Sequence, residues 1–206
     1  MITRNIILLP PPQVMQQAIS WSKRIASDYK TNFILDAKKF YPHITLYQAA
    51  LPDKNLPIVE EKLVTLVKQM KPFSVHADDF STLVGFVFLT FVKSEALLSA
   101  HEQIVKICNP LREGENIPAE VQNLTDPTVP EFIKQSIRTY GSALAMEAYV
   151  PHITLSRLQN LSDAEKARAK LEKAEISFDV HSIHVANIGP DGTVNEMYRE
   201  FPFRMI

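Results

Sequence analysis

The chain has 206 residues, 46% of them hydrophobic and 22% charged, which is enough to bury one sizeable core. Its net charge of −1 argues against a protein that grips duplex nucleic acid by its phosphates, and favours a small anionic ligand or an RNA end. A single cysteine, Cys108, excludes an intramolecular disulfide and a thiolate metal cluster, and its helical spacing behind Ile104 predicts a buried packing thiol.

The chain opens with a predicted strand and helix. The apolar run in MITRNIILLPPP is too short for a signal peptide or a membrane span, so we expect a cytoplasmic protein without membrane attachment. Residues 5–10 predict a buried strand that stops at three prolines. Apolar residues from Val14 to Ile25 then follow a helical period, and this helix is expected to fade near residues 27–30.

Residues 40–48, FYPHITLYQ, alternate as a strand does. This alternation predicts one face bearing Tyr41, His43, Thr45 and Tyr47. A helix from Pro57 to Met70 follows, then strands over 72–80 and 83–92. Residues 94–108 predict a helix capped by Ser94, with His101 exposed at its middle.

The second half begins with an irregular segment. Residues 109–130 contain four prolines and little periodicity, which predicts a long loop or flap that could cover a cleft. A short helix over 131–139 and a second alternating strand over 148–157 come next. A helix over 162–174 carries the capping-box pair Ser162 and Glu165. Strands over 176–188 and 193–203 close the chain around a turn at 189–192.

The word PHITL occurs twice, at residues 42–46 and 151–155, so the two histidines are 109 positions apart (152 − 43). Flanking words agree as well, since 51–53 matches 161–163 and 73–76 matches 178–181. These matches predict an internal repeat of supersecondary units within a single domain, residues 1–206, of two intertwined lobes. Related halves usually pack about a pseudo-two-fold axis, which would bring both PHITL strands to one cleft.

Such a cleft would hold two imidazoles, His43 and His152, and two hydroxyls, Thr45 and Thr154. One neutral imidazole can accept a proton while an imidazolium donates another, and threonine hydroxyls can hydrogen-bond phosphate oxygens. This set suits in-line displacement at a phosphodiester without a metal or another cofactor. Arg157 could reach the phosphate only if its strand ends or bulges, because regular alternation turns it away.

The same residues could instead have purely structural roles. Histidine and threonine also occur as ordinary strand residues, and threonine is favoured in strands. Tyr41 and Tyr47 could line the groove and stack on a base or could pack in the core, whereas Tyr149 is expected in the core. Structural or surface roles are expected for His76, His181 and His184, because no ligand spacing links them.

The paired His-x-Thr motif resembles that of the two-histidine (2H) phosphoesterase superfamily, which includes 2′-5′ RNA ligase-like proteins and cyclic nucleotide phosphodiesterases. The opening IILLPPPQVMQQAI and the segment VPHITLSR are similar to that family as well. The resemblance implies an α+β fold of two lobes, in which two antiparallel sheets form a V-shaped groove with helices outside.

The resemblance also implies a chemistry: hydrolysis of a 2′,3′-cyclic phosphate on a nucleotide or RNA terminus, without metal. It makes His43 and His152 the acid and base and Thr45 and Thr154 the phosphate ligands. Tyr41 and Tyr47, from the strand pattern, and Arg157, which matches the arginine of the family's second motif, are further candidate substrate contacts. In some members the second histidine activates water and the first protonates the leaving oxygen, and we expect the same division here. A nucleotide-binding module without turnover and RNA end-joining are the alternatives, and a monomer is expected.

Overall fold

The computed structural model describes residues 2–172 and 175–204. The strands in these residues are β1 Ile2–Leu8, β2 Ile44–Leu51, β3 Phe73–Leu83, β4 Phe86–Phe91, β5 His152–Arg157, β6 Ser177–Val180, β7 Ser182–Ile188 and β8 Val194–Pro202. The helices are α1 Pro12–Asp28, α2 Leu56–Val67, α3 Glu95–Cys108, α4 Pro118–Val121, α5 Glu131–Tyr140 and α6 Asp163–Ala169.

The strands form two four-stranded antiparallel sheets, ordered β2-β1-β7-β8 and β5-β4-β3-β6. This arrangement confirms the predicted α+β class. Each PHITL strand is the edge strand of its sheet and pairs with the strand that precedes it in the chain. One helix, α1, connects β1 to β2, whereas α3, α4 and α5 lie between β4 and β5. The halves also exchange strands, because β3 and β4 join the sheet of β5, while β7 and β8 join the sheet of β2.

The matched words at 73–76 and 178–181 meet in the fold. The start of β3 pairs with β6, so that Phe73 lies opposite Val180 and Val75 lies opposite Phe178. The single strand predicted over 176–188 is divided at His181, since β6 stays in the second sheet while β7 enters the first.

One large apolar cluster joins the helices to one face of the sheets. In α1 the side chains of Ala18, Trp21 and Ile25 are buried at helical spacing, and Trp21 meets Phe80 edge-on with the ring centroids 5.0 Å apart. Each large apolar side chain buried in this way stabilises the fold by about 1.5–3 kcal/mol.

The two faces of β1 have different surroundings. Ile6 and Leu8 belong to the large cluster, whereas Ile7 joins a small cluster with Ala186 and Val194 on the other face. Because side chains alternate along a strand, Asn5 shares the face of Ile7. We call this side the inner face of the first sheet.

The segment 109–130 differs from the predicted long loop. It contains helical turns at Asn109–Arg112 and Gln122–Leu124 as well as α4. The reason is the buried Arg112, whose guanidinium donates to the carbonyl oxygens of Glu115 and Thr139 and so ties the segment to the end of α5. Periodicity could not reveal this anchor.

Helix capping follows the sequence in one case and departs from it in another. Ser94 caps α3, accepting a hydrogen bond from the backbone N–H of Leu97 at 3.3 Å, as predicted. The capping box was wrong: Ser162 makes no cap hydrogen bond, and Glu165 pairs with Arg168 instead. The helix α6 ends at Ala169, before the predicted end, of which residues 173–174 lie outside the described residues.

Two side chains of α3 are buried. Cys108 is buried as predicted, and burial raises the pKa of its thiol to about 12. His101 was expected to be exposed, and that prediction was wrong, because only 1% of its surface is accessible.

Candidate active site

The two PHITL strands lie side by side although they belong to different sheets. Residues of β2 and β5 approach within 8 Å between Cα atoms. The hydroxyl of Tyr149, just before the second motif, donates to the carbonyl oxygen of Thr45 at 3.0 Å. The edges of the two sheets therefore meet at the two His-x-Thr motifs.

His43 precedes β2 directly and is buried, with 7% of its surface exposed. Its Nδ1 lies 2.7 Å from the carbonyl oxygen of Tyr41. A carbonyl can only accept, so Nδ1 carries the hydrogen and Nε2 of the neutral ring is left with its lone pair. Burial lowers the pKa of His43 to about 4, although the Tyr41 hydrogen bond opposes this, and the positive charge of His152 lowers it further.

His152 begins β5 and repeats this arrangement. Its Nδ1 lies 2.7 Å from the carbonyl oxygen of Val150, which again leaves Nε2 as the free nitrogen. Burial lowers the pKa of His152, against the effect of the hydrogen bond to Val150. The surroundings differ in one respect, because the ring of Phe88 packs on this imidazole with centroids 4.2 Å apart.

A β-bulge lies in the middle of the first motif strand. Ile7 faces Thr45 and Ile6 faces Tyr47, so Leu46 is the extra residue. Facing residues share a side of the sheet, so Thr45 lies on the inner face with Ile7, and Tyr47 turns into the large cluster with Ile6.

The prediction that Tyr47 could line the groove was therefore wrong. Its side chain is 1% exposed, its hydroxyl donates to the carbonyl oxygen of Tyr140, and burial raises its pKa. Tyr41 has a different place: it is half-buried against the small cluster, and its N–H donates to the carbonyl oxygen of Val194 at 3.1 Å. Tyr149 is buried in the core region, as predicted.

The second motif strand has a bulge at the corresponding position. Phe88 faces Thr154 and Val87 faces Ser156, so Leu155 is the extra residue. Arg157 faces Phe86 and therefore lies on the same side of the sheet as Thr154. The bulge that the alternation pattern required for Arg157 to turn toward the phosphate is thus present. Its guanidinium lies 4.8 Å from the Phe86 ring centroid and pairs with the carboxylate of Asp191.

Two residues near the site were not predicted from the sequence. The first bulge brings Gln48, opposite Asn5, to the inner face at the position that Arg157 occupies in the second motif. Asn5 is fully buried, and its Nδ2 lies 3.1 Å from Thr45 Oγ1 and 3.5 Å from His43 Nε2. The one sequence feature that could have indicated a role for Asn5 is its polar side chain directly before the apolar run of β1.

His101 and Tyr149, whose rings stack on each other, hydrogen-bond the backbone of the first bulge. His101 Nδ1 donates to the carbonyl oxygen of Leu46, and its Nε2 accepts from the N–H of Met146 at 2.8 Å. The imidazole of His101 stacks on the Tyr149 ring with centroids 3.8 Å apart. Since Tyr149 binds Thr45, this pair satisfies two successive carbonyls of the bulged edge strand.

Within residues 2–172 and 175–204, no three His, Cys, Asp or Glu side chains are grouped so that they could hold a metal ion. No helix in the same residues has the length and apolar character needed to cross a membrane.

Comparison with solved structures shows the same fold elsewhere. The TT0787 protein of Thermus thermophilus is 16% identical, with a TM-score of 0.59 over 98% of each chain. Escherichia coli LigT complexed with NADP+ is 14% identical, with a TM-score of 0.54 over 99% of each chain. LigT complexed with ATP is 13% identical, also with a TM-score of 0.54 over 99% of each chain.

A search of curated proteins found no match. The sequence profile of the 2′-5′ RNA ligase superfamily matches residues 10–192, which include both His-x-Thr motifs. The match extends over most of the chain, and the paired motifs lie together in a fold shared with LigT. The chain therefore belongs to the 2′-5′ RNA ligase superfamily of 2H phosphoesterases.

Proposed function

We propose that the protein is a metal-independent phosphoesterase that hydrolyses 2′,3′-cyclic phosphates of nucleotides or RNA termini. One observation carries this proposal: at the meeting edges of two sheets, two imidazoles have Nδ1 committed to a carbonyl and Nε2 left for proton transfer, each two residues from a threonine. LigT, which has this fold, has been crystallised with ATP, NADP+ and phosphate, and these ligands support a small nucleotide substrate.

In the proposed reaction, Nε2 of one histidine takes a proton from water as the water oxygen attacks phosphorus. The bond from phosphorus to one ribose oxygen breaks, and the other histidine, as an imidazolium, gives that oxygen its proton. One P–O bond forms and one breaks, and a proton moves at each end. The hydroxyls of Thr45 and Thr154 hold the non-bridging oxygens.

The lowered pKa values of His43 and His152 suit the base, which must be neutral near pH 7. The acid must be protonated when substrate is bound. A bound phosphate anion favours the imidazolium of a neighbouring histidine and raises its pKa. Arg157 contributes further positive charge near the phosphate, reduced by its pairing with Asp191.

The direct test is turnover of a 2′,3′-cyclic nucleotide in the presence of EDTA. We expect hydrolysis that falls by at least about 1,000-fold in His43→Ala and in His152→Ala, with a bell-shaped pH–rate profile. His76→Ala, an exposed change on β3, is the matched control and should keep full activity. Full activity in both motif variants would refute the proposal.

RNA end-joining is the second candidate, because the superfamily takes its name from 2′-5′ RNA ligation. Joining would open the same cyclic phosphate with a ribose hydroxyl of a second RNA end in place of water, so the nucleophile changes and the leaving ribose oxygen stays the same. A gel assay with cleaved tRNA halves separates joining from hydrolysis. Measurable nucleotide affinity without either reaction would instead identify a binding module.

A further inference from the structure

We propose that Asn5 is a positioning residue that holds His43 as the neutral base and aims the Thr45 hydroxyl at the phosphate, which leaves His152 as the acid. This inference deepens the proposed function and depends on it for the names acid and base. It reverses the division expected from the family resemblance. It rests on one fully buried carboxamide between the two members of the first motif.

Asn5 fixes the role of the Thr45 hydroxyl in the contact between them. An amide NH2 can only donate, so the 3.1 Å contact from Asn5 Nδ2 makes Thr45 Oγ1 an acceptor. The hydroxyl hydrogen of Thr45 is then free to donate elsewhere. A phosphate oxygen in the groove is an acceptor of the kind that this hydrogen requires. Asn5 thereby orients the donor before substrate arrives.

The same carboxamide also lies beside the imidazole of His43. Its Nδ1–H is committed to Tyr41, so Nε2 of the neutral ring presents a lone pair, and Asn5 Nδ2 faces it at 3.5 Å. A donor beside this lone pair favours the neutral imidazole, and the imidazolium would bring two N–H groups together. The Asn5 carboxamide therefore supports the base form of His43.

The orientation of the amide follows from the same contacts. As placed, Asn5 Oδ1 is a buried oxygen without a hydrogen-bond partner in the described structure. A flipped amide would leave the NH2 group unpartnered instead and would set its oxygen against the lone pair of a neutral His43. A buried N–H without a partner is rarer and costlier than an under-satisfied carbonyl oxygen.

His152 has different neighbours. In the described contacts no amide lies at its Nε2, and the ring of Phe88 packs on the imidazole with centroids 4.2 Å apart. The face of an aromatic ring attracts a cation, so this neighbour favours the imidazolium that a general acid requires. The two histidines thus make the same kind of hydrogen bond through Nδ1, but the rest of the ring contacts the Asn5 amide in His43 and the Phe88 ring in His152.

The other titratable groups around the first motif lie on β5 and β7 and in the segment before β2. His152 on β5 acts electrostatically on His43, and Tyr41 contributes its carbonyl. His184 on β7 lies opposite Ile7, beyond β1, and faces Glu200 at 3.9 Å. Arg157 is paired with Asp191.

The test is NMR of the histidine rings in the full chain, with signals assigned from His43→Gln and His152→Gln. In the unaltered protein at pH 7 we expect His43 as the Nδ1–H tautomer with unprotonated Nε2. In Asn5→Asp, a carboxylate beside Nε2 favours the imidazolium, so the titration midpoint of His43 should rise by more than about one pH unit. The midpoint of His152 should change far less.

A doubly protonated His43 at pH 7 in the unaltered protein would overturn the inference, and so would an unchanged His43 midpoint in folded Asn5→Asp. The measurement on the unaltered protein stands even if the variant fails to fold. Neither result requires turnover. Absence of cyclic phosphodiesterase activity would thus refute the proposed function alone, while an unmoved His43 midpoint in an active enzyme would refute the role of Asn5 alone.

Discussion

The proline of each motif explains why the two imidazoles are held alike. Proline restrains the residue before it to extended backbone and has no N–H of its own. In both copies that preceding residue, Tyr41 or Val150, offers its carbonyl oxygen to the imidazole Nδ1 at 2.7 Å. Pro42 and Pro151 therefore help to set the tautomer of the histidines that follow them, and replacing either would disturb the ring orientation.

The hydroxyls of the two motif threonines can be removed with little change of shape. We expect Thr45→Val and Thr154→Val each to lower turnover of a 2′,3′-cyclic nucleotide by about 10- to 100-fold, because each removes one donor to the phosphate. Steady-state kinetics measures this loss. Thr65→Val on the exposed surface of α2 is the isosteric control, and equal activity in all three variants would show that the hydroxyls bind no phosphate.

At the scale of single elements, the bulges decide which side chains lie on the same face of the sheet as the motif threonines. The alternation of FYPHITLYQ correctly placed Thr45 and failed one residue past the bulge, at Tyr47. The same irregularity in β5 turned Arg157 toward Thr154. A bulge depends on pairing with a neighbouring strand, which the chain specifies only through its tertiary structure. The repeated motif could be recognised from the sequence because each copy is a short run of consecutive residues, whose identity does not depend on strand pairing.

The clamp on the first bulge, His101 with Tyr149, predicts an effect on stability. Tyr149→Phe leaves the Thr45 carbonyl without its 3.0 Å donor, and we expect a loss of about 1–2 kcal/mol in the free energy of unfolding. Urea denaturation followed by circular dichroism measures it. Tyr198→Phe, at a residue 52% exposed, should cost almost nothing. A loss no larger than that of Tyr198→Phe would mean that the clamp does not stabilise the fold.

At the scale of the whole molecule, buried histidines couple folding to pH. Burial lowers the pKa values of His43, His101, His152 and His184. The unfolded chain then binds more protons below its ordinary histidine pKa of 6.5, so stability falls as pH drops from 6.5 toward the folded value of about 4 for His43. His43 alone accounts for about 3 kcal/mol of this loss at the acid end.

Urea denaturation midpoints measured from about pH 7.5 to about pH 4.5, roughly the range over which the histidine pKa values differ between the folded and unfolded chain, test this dependence of stability on pH. We expect the unaltered protein to weaken steadily with acidification and His43→Gln to weaken less steeply. His76→Gln, an exposed change, should follow the unaltered protein. Parallel curves for His43→Gln and the unaltered protein would show that protonation of His43 does not oppose folding.

The exchange of strands between the halves has a consequence for synthesis of the chain. The first sheet needs β7 beside β1, but the β7 partners of β1 are synthesised much later. Arg4 pairs with Asn187, and Ile6 pairs with Val185. At cellular elongation rates this delay is roughly 10–40 s, during which β1 has one open edge. Pairing over such a separation also slows folding. A nascent chain stopped before residue 182 could complete neither the inner face of the first sheet nor the lasting burial of Asn5, so a competent site is a property of the finished chain.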